Sequence, residues 1–199
     1  MIEGSNAEAL LGLDGVRICA VEIGAEVTIT IETIDDRVGC RSCGVIAKAH
    51  GRRRVRVRDL ATWGRATVLI WVKRIWRCRE PLCATVTWTE TLDAIASRGS
   101  LTERAGFEIC RRVGEDGDSV AAVGRDFGVG WACAMNAVNV HGRRLVNDPE
   151  RIGEVTKLGL DETAFQRPSK HRGHTSYITG FVDLARPRLL DVVSDRCSG

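Results

Sequence analysis

The sequence predicts a multi-module α+β protein: a small β-rich unit built on four cysteines, a helical segment, then a return to strands. Three observations predict it. The pairs Cys40-x2-Cys43 and Cys78-x4-Cys83, separated by 34 residues, lie at the ends of alternating β-branched segments. From Leu101 the apolar spacing changes to that of helices, and after residue 150 alternation returns. The expected boundaries are 1–36 for N-terminal strands, 37–97 for the four-cysteine domain, 98–145 for the helices and 146–199 for the last strands.

Val16, Ile18, Val21 and Ile23, then Val27 to Ile31, read as two strands joined at Gly24-Ala25. Arg52 to Arg58 alternates arginine with Val55 and Val57, a strand with one basic face. Thr67 to Val72 is another strand, running on through Arg77 into the second cysteine pair. Leu101, Ala105, Ile109 and Val113 recur at helical spacing. Ser119 is placed to cap a short helix from Val120 to Phe127. Gly128-Val129-Gly130 ends it, and a third helix follows from Trp131 to about Val140. His141-Gly142 and Asn147-Asp148-Pro149 read as a linker, after which Val155–Asp161, Thr175–Leu184 and Arg188–Val193 read as strands.

The chain has 199 residues, 44% apolar and 28% charged, the balance of a globular protein. No run approaches the roughly 18 apolar residues of a membrane helix, so no membrane partner is expected. Met1 to Leu13 carries two glutamates and no basic residue, unlike a secretory signal. A cytoplasmic location is therefore expected. In that reducing compartment closely spaced cysteines are metal ligands rather than disulfides. Cys19, Cys110, Cys133 and Cys197 stand singly and are expected to be small buried hydrophobes.

Four thiolates make a closed tetrahedral site for structural Zn²⁺, each pair gripping the ion from one tight turn. With few large core residues in the segment, the metal is expected to supply folding energy. Cys40, Cys43, Cys78 and Cys83 are the expected ligands. A rubredoxin-like iron site is the competing reading; the x4 spacer and the basic loop disfavour it. From Cys40 to Cys83 there are twelve Lys and Arg against two acids, +10, while the whole chain is only +3. Arg52, Arg53, Arg54, Arg56 and Arg58 are candidate phosphate contacts, extended by Lys73, Arg74, Arg77 and Arg79. Trp63, Trp71 and Trp76 are expected to form the unit's core.

Two helices joined by a small-residue turn fit a helix-turn-helix, whose second helix reads the major groove of double-stranded DNA. On its wheel Ala134, Ala137 and Val138 face inward. Ala132, Asn136 and Asn139 face outward, followed by Arg143-Arg144. Ala132, Asn136, Asn139 and Arg143 are the candidate DNA contacts; Asn bonds adenine through two hydrogen bonds.

The segments Cys40-Arg-Ser-Cys43, Trp76-Arg-Cys78-x4-Cys83, Ser119 to Trp131 and Leu158-Gly-Leu-Asp-Glu-Thr-Ala-Phe165 stand in the order found in bacterial insertion-sequence transposases. The chain resembles the ISL-three family over nearly its whole length. The resemblance implies that a zinc domain and a helix-turn-helix bind terminal inverted repeats. It also implies that the last three strands begin an RNase H-like domain with an Asp-Asp-Glu triad holding Mg²⁺. Asp161 matches the first aspartate, at the end of its strand and beside Glu162. Asp183, Asp191 and Asp195 precede the family's second position and are expected to be strand-end or turn residues. The expectation is a truncated transposase: nucleoid-associated, DNA-binding, and inactive alone as a nuclease. A zinc-dependent helix-turn-helix transcriptional regulator is the alternative. Homo-oligomerisation stays open.

Overall fold

The computed structural model describes residues 6–167 and 173–194. It contains two compact units, Met1–Arg144 and Leu145–Gly199. Asp195 and Cys197 lie outside the described residues.

A short helix, α1 (Asn6–Leu11), opens the first unit; the sequence reading did not anticipate it. The strands are β1 (Val16–Ile23), β2 (Val27–Thr33), β3 (Lys48–Thr62), β4 (Arg65–Arg77) and β5 (Thr87–Thr89). They form one sheet of order β1-β2-β4-β3, with β5 paired to the end of β4. β1 and β2 are antiparallel with Ile23 opposite Val27, so the chain reverses at Gly24-Ala25 as expected. β2 then runs parallel to β4, pairing Val27, Ile29 and Ile31 with Thr67, Leu69 and Trp71. The boundary expected at residue 36 therefore divides strands that share a sheet.

Strand side chains alternate between faces, and here the alternation builds the core. Ile29, Ile31, Val57, Leu69 and Trp71 meet on one face, covered by Leu11, Leu13 and Ile95. Trp76 is buried as well, but Trp63 is 72% exposed at the tip of the β3–β4 hairpin. Trp63 (φ 52°) and Gly64 (φ 72°) are both left-handed, as a two-residue hairpin turn requires. That conformation suits glycine and strains tryptophan, and it points Trp63 away from the core.

The helices are α2 (Glu103–Gly114), α3 (Val120–Phe127) and α4 (Trp131–Val146). Thr102 and Ser119 cap α2 and α3, accepting from the N–H groups of Ala105 and Ala122. α4 continues past Val140 through His141-Gly142, which the sequence reading had assigned to a linker. The glycines explain this. A Cβ on Gly106 would stand 2.7 Å from His141 Nε2, and one on Gly142 would touch Cys110 Sγ at 3.6 Å. Gly106 is thus the tight packing glycine where α4 passes α2, and Gly142, where a Cβ would make only ordinary contact, lies within the helix rather than ending it.

Helices and sheet are joined. Arg58 N–H donates to Ser100 O at 2.8 Å, and Thr102 N–H donates to Arg58 O at 2.9 Å. Asp59, only 3% exposed, accepts from Thr102 Oγ1 at 2.7 Å and Arg104 Nε at 2.8 Å. Leu60 packs on the helical core of Ile109, Val123 and Phe127. The boundary expected at 97/98 also falls inside one compact unit.

In the second unit β6 (Leu158–Gln166), β7 (Ser176–Asp183) and β8 (Arg188–Ser194) form an antiparallel meander. β6 starts and ends later than expected. Arg188 donates to the carbonyls of Arg151 and Ile152, and Arg151 to that of Leu190, which clasps the meander. Among the described residues no helix is long and apolar enough to cross a membrane.

Candidate metal centre and basic face

Two tight turns bring the four predicted cysteines together. In the first, Gly44 N–H donates to Cys40 O and Cys40 N–H to Val45 O, both at 2.9 Å. Gly44 has φ 74°, a left-handed position that lets the chain fold back after Cys43. A Cβ on Gly39 would come within 3.2 Å of Gly44 O, so this turn uses both glycines. In the second turn Cys78 N–H donates to Val86 O and Cys83 N–H to Glu80 O. The Glu80 N–H points at Cys78 Sγ, 3.4 Å away. Ser42 Oγ and Thr85 Oγ1, 2.6 Å apart, tie one turn to the other.

The sulfurs of Cys40, Cys43, Cys78 and Cys83 all lie within 4.8 Å of one another. Cys40 and Cys83 are 3.7 Å apart and Cys43 and Cys78 3.5 Å. Zinc–sulfur bonds of about 2.3 Å give a tetrahedron with edges of roughly 3.8 Å, whereas a disulfide would need about 2.0 Å. The four thiols thus fit a structural zinc ion with no open coordination position. N–H donation, first from Ser42 and then from Cys43, draws the Cys40 thiol down to about 7. Cys78 goes the other way. The Glu80 N–H pulls it down, but burial and the neighbouring sulfurs outweigh that and push it up to about 12. A bound cation favours all four thiolates and releases their protons.

With this geometry in place, the comparison with known families is specific. Residues 36–83 match the zinc-finger of transposase IS204/IS1001/IS1096/IS1165. This segment is similar to a transposase-type zinc ribbon. The match spans both cysteine pairs and the strands between them. Neither a curated protein nor a solved structure matches the chain.

The zinc ribbon carries the arginine row, and strand geometry sorts it. Arg52, Arg54, Arg56 and Arg58 share one face, while Arg53 shares the other with Val55 and Val57. All five therefore cannot face one partner. Arg52 pairs with Glu32, and Arg56 and Arg58 pair with Glu26, each reaching across β4. Arg58 also lies against Gly128, where a Cβ would be 2.7 Å from its Nη2, so it braces the α3–α4 turn. Arg53 and Arg54 are exposed and make no ion pair among the described residues. Lys73 and Arg74 are buried, contrary to expectation. Arg74 donates to the carbonyls of Thr33 and Asp35, and its backbone N–H donates to Glu90. Lys73 lies over the Trp71 ring at 4.4 Å. Both are structural because β2 and β5 flank the end of β4. Arg77 and Arg79 are exposed.

On α4, Ala132, Asn136, Asn139 and Arg143 are all exposed, opposite buried Ala134 and Ala137. Cys110 is buried, but Cys19 is exposed beside a bulge in β1, where the alternation that would have hidden it is interrupted.

Asp161 sits in the middle of β6, opposite Gly180, rather than at a strand end. Its Oδ2 accepts from Thr163 Oγ1 at 3.4 Å. Adjacent strand residues face opposite ways, so Asp161 and Glu162 cannot grip one ion together. Asp183 is buried and caps the β7–β8 turn, accepting from the N–H groups of Ala185 and Arg186. Asp191 pairs with Arg151 at 3.7 Å. Among the described residues the cysteines form the sole cluster suited to a metal.

Sequence reasoning missed Glu26 and Glu32. The signal was there: a charged residue within, or just before, a strand of alternating β-branched residues needs a partner.

Proposed function

We propose that this chain is a DNA-binding protein of insertion-sequence transposition, recognising terminal inverted repeats with its zinc ribbon and helices. The observation that carries this reading is the coincidence of the four-sulfur cluster with the family match over residues 36–83. In this reading zinc holds one end of the sheet and Arg54 contacts phosphate directly. Arg56, exposed on the same face, joins it by exchanging the Glu26 carboxylate for a phosphate. α4 acts as the recognition helix of a helix-turn-helix, presenting Ala132, Asn136, Asn139 and Arg143 to the major groove.

Asp161 is read as the first aspartate of an RNase H-like Asp-Asp-Glu triad that would hold Mg²⁺. Among the described residues it belongs to no carboxylate group suited to a metal pair, and this reading expects no DNA cleavage by this chain alone. A nicking assay with Mg²⁺ tests that; cleavage product would refute it. The binding reading is tested by mobility shift on inverted-repeat duplexes over a salt series. Affinity should fall steeply with salt, and Arg54→Ala should weaken binding and flatten the slope by about one. Salt-independent affinity would overturn the phosphate role.

A further inference from the structure

A hollow of about 770 Å³ lies beside the zinc ribbon's first turn, between β3, the end of β4 and residues 34–37. Six cationic side chains line it: Arg17, Arg37, Lys48, Arg52, Arg74 and Arg79. One carboxylate, Asp36, is among the lining residues. These cations are not equivalent. Arg17 and Arg52 both pair with Glu32, and Arg74 is held by the carbonyls of Thr33 and Asp35. Those three build the wall. Arg37, Lys48 and Arg79 are exposed and make no hydrogen bond or ion pair among the described residues. They leave a net positive rim with no partner in the fold.

The rest of the lining is apolar. Ile34 is 57% exposed and Ile46 is 58% exposed, with Ala47, Ala49 and Trp76 beside them. Ile34 and Ile46 thus offer apolar surface inside a cationic hollow.

A ligand matching both features has an anionic group for the rim and a flat apolar face for the isoleucines. Duplex DNA offers phosphates but keeps its base faces stacked inside. An unpaired nucleotide offers phosphate and base face together. The volume lies within the roughly 300–1,000 Å³ of pockets that enclose small molecules. From this we infer that the hollow binds an unpaired nucleotide of a DNA strand, its phosphate on Arg37, Lys48 and Arg79 and its base against Ile34 and Ile46. The inference rests on the DNA-binding reading and adds a site to it, separate from α4 and from Arg54.

The test uses fluorescence anisotropy of the full, zinc-loaded chain with one duplex sequence in three forms: blunt, with a short 3′ thymidine overhang, and with a short 5′ one. At least one overhang form should bind measurably tighter than the blunt form, because seating an unpaired nucleotide adds a phosphate contact and an apolar contact. In the triple variant Arg37→Ala, Lys48→Ala, Arg79→Ala that advantage should vanish. In Ile34→Ser, Ile46→Ser it should shrink while the salt dependence stays the same. Zinc content and circular dichroism check that each variant folds. Equal binding of blunt and overhang forms would overturn this inference and leave the duplex reading standing. So would an overhang advantage that survives in the triple variant. If no form binds, both fall.

Discussion

In the first unit Ile31, Val57, Val68 and Leu69 are wholly enclosed, whereas in the second Leu158, Leu160 and Leu189 stay more than half exposed. Both sheets use alternating β-branched and aliphatic strands. What differs is the second layer. The first sheet is covered by Leu11 and Leu13 after α1 and by the loop carrying Ile95, and its β3 edge is joined to the helices. Among the described residues of the second unit only Thr179, Asp183 and Leu190 are buried and no cluster of buried apolar side chains forms, so that sheet relies on its hydrogen-bond ladder and the Arg151 and Arg188 clasps. Alternation makes a strand; only an opposing layer makes a core.

The cysteine end of the first sheet sharpens the contrast, because residues 41–46 are exposed and have no apolar core of their own. Chelation, or Cys43→Ser, should have the largest effect, since structural zinc contributes on the order of 10 kcal/mol. Hydrogen exchange should rise sharply in both cysteine turns while β2 and β4 stay protected. Melting of the whole unit would mean that the sheet core does not stand alone. Next, Leu69→Ala should cost about 2–5 kcal/mol, while Leu160→Ala should change stability by no more than about 0.5 kcal/mol. Denaturant titration of the two variants measures the difference directly, and similar losses would break the contrast. Trp63→Asn should stabilise by about 1 kcal/mol, by relieving a left-handed tryptophan at an exposed turn.

The smallest effect is electrostatic. Glu26 lies below its ordinary 4.5, chiefly through hydrogen bonding from Arg58, and Glu32 does so through Arg17. A folded-state value below the unfolded one adds stability above the unfolded value. That contribution is lost as pH falls through the folded value. Acid titration from pH 5 downward, pH 5 being about half a unit above the usual glutamate value, should therefore weaken the first unit. Glu26→Gln should blunt that fall.

Spacing and period are local properties, and they were legible. The four-cysteine cluster, the three helices α2 to α4 and the strands flanking the cysteines follow from residue order, because backbone geometry fixes which residues share a turn or a face. What the arginines do was not legible. Arg52, Arg56 and Arg58 are joined to Glu32 and Glu26 only because the sheet order sets β4 between β2 and β3, within reach of a long side chain. Lys73 and Arg74 look like Arg52 and Arg54 in the sequence, but β2 and β5 bury them. Trp63 looks like Trp71, but a hairpin tip exposes it. The hollow beside the zinc ribbon combines Arg17, Arg37, Lys48 and Arg79 from distant positions. Residue order thus determined the cysteine spacing that fits a metal and the local elements. Non-local strand pairing decided which charges are already neutralised and which remain open to a partner.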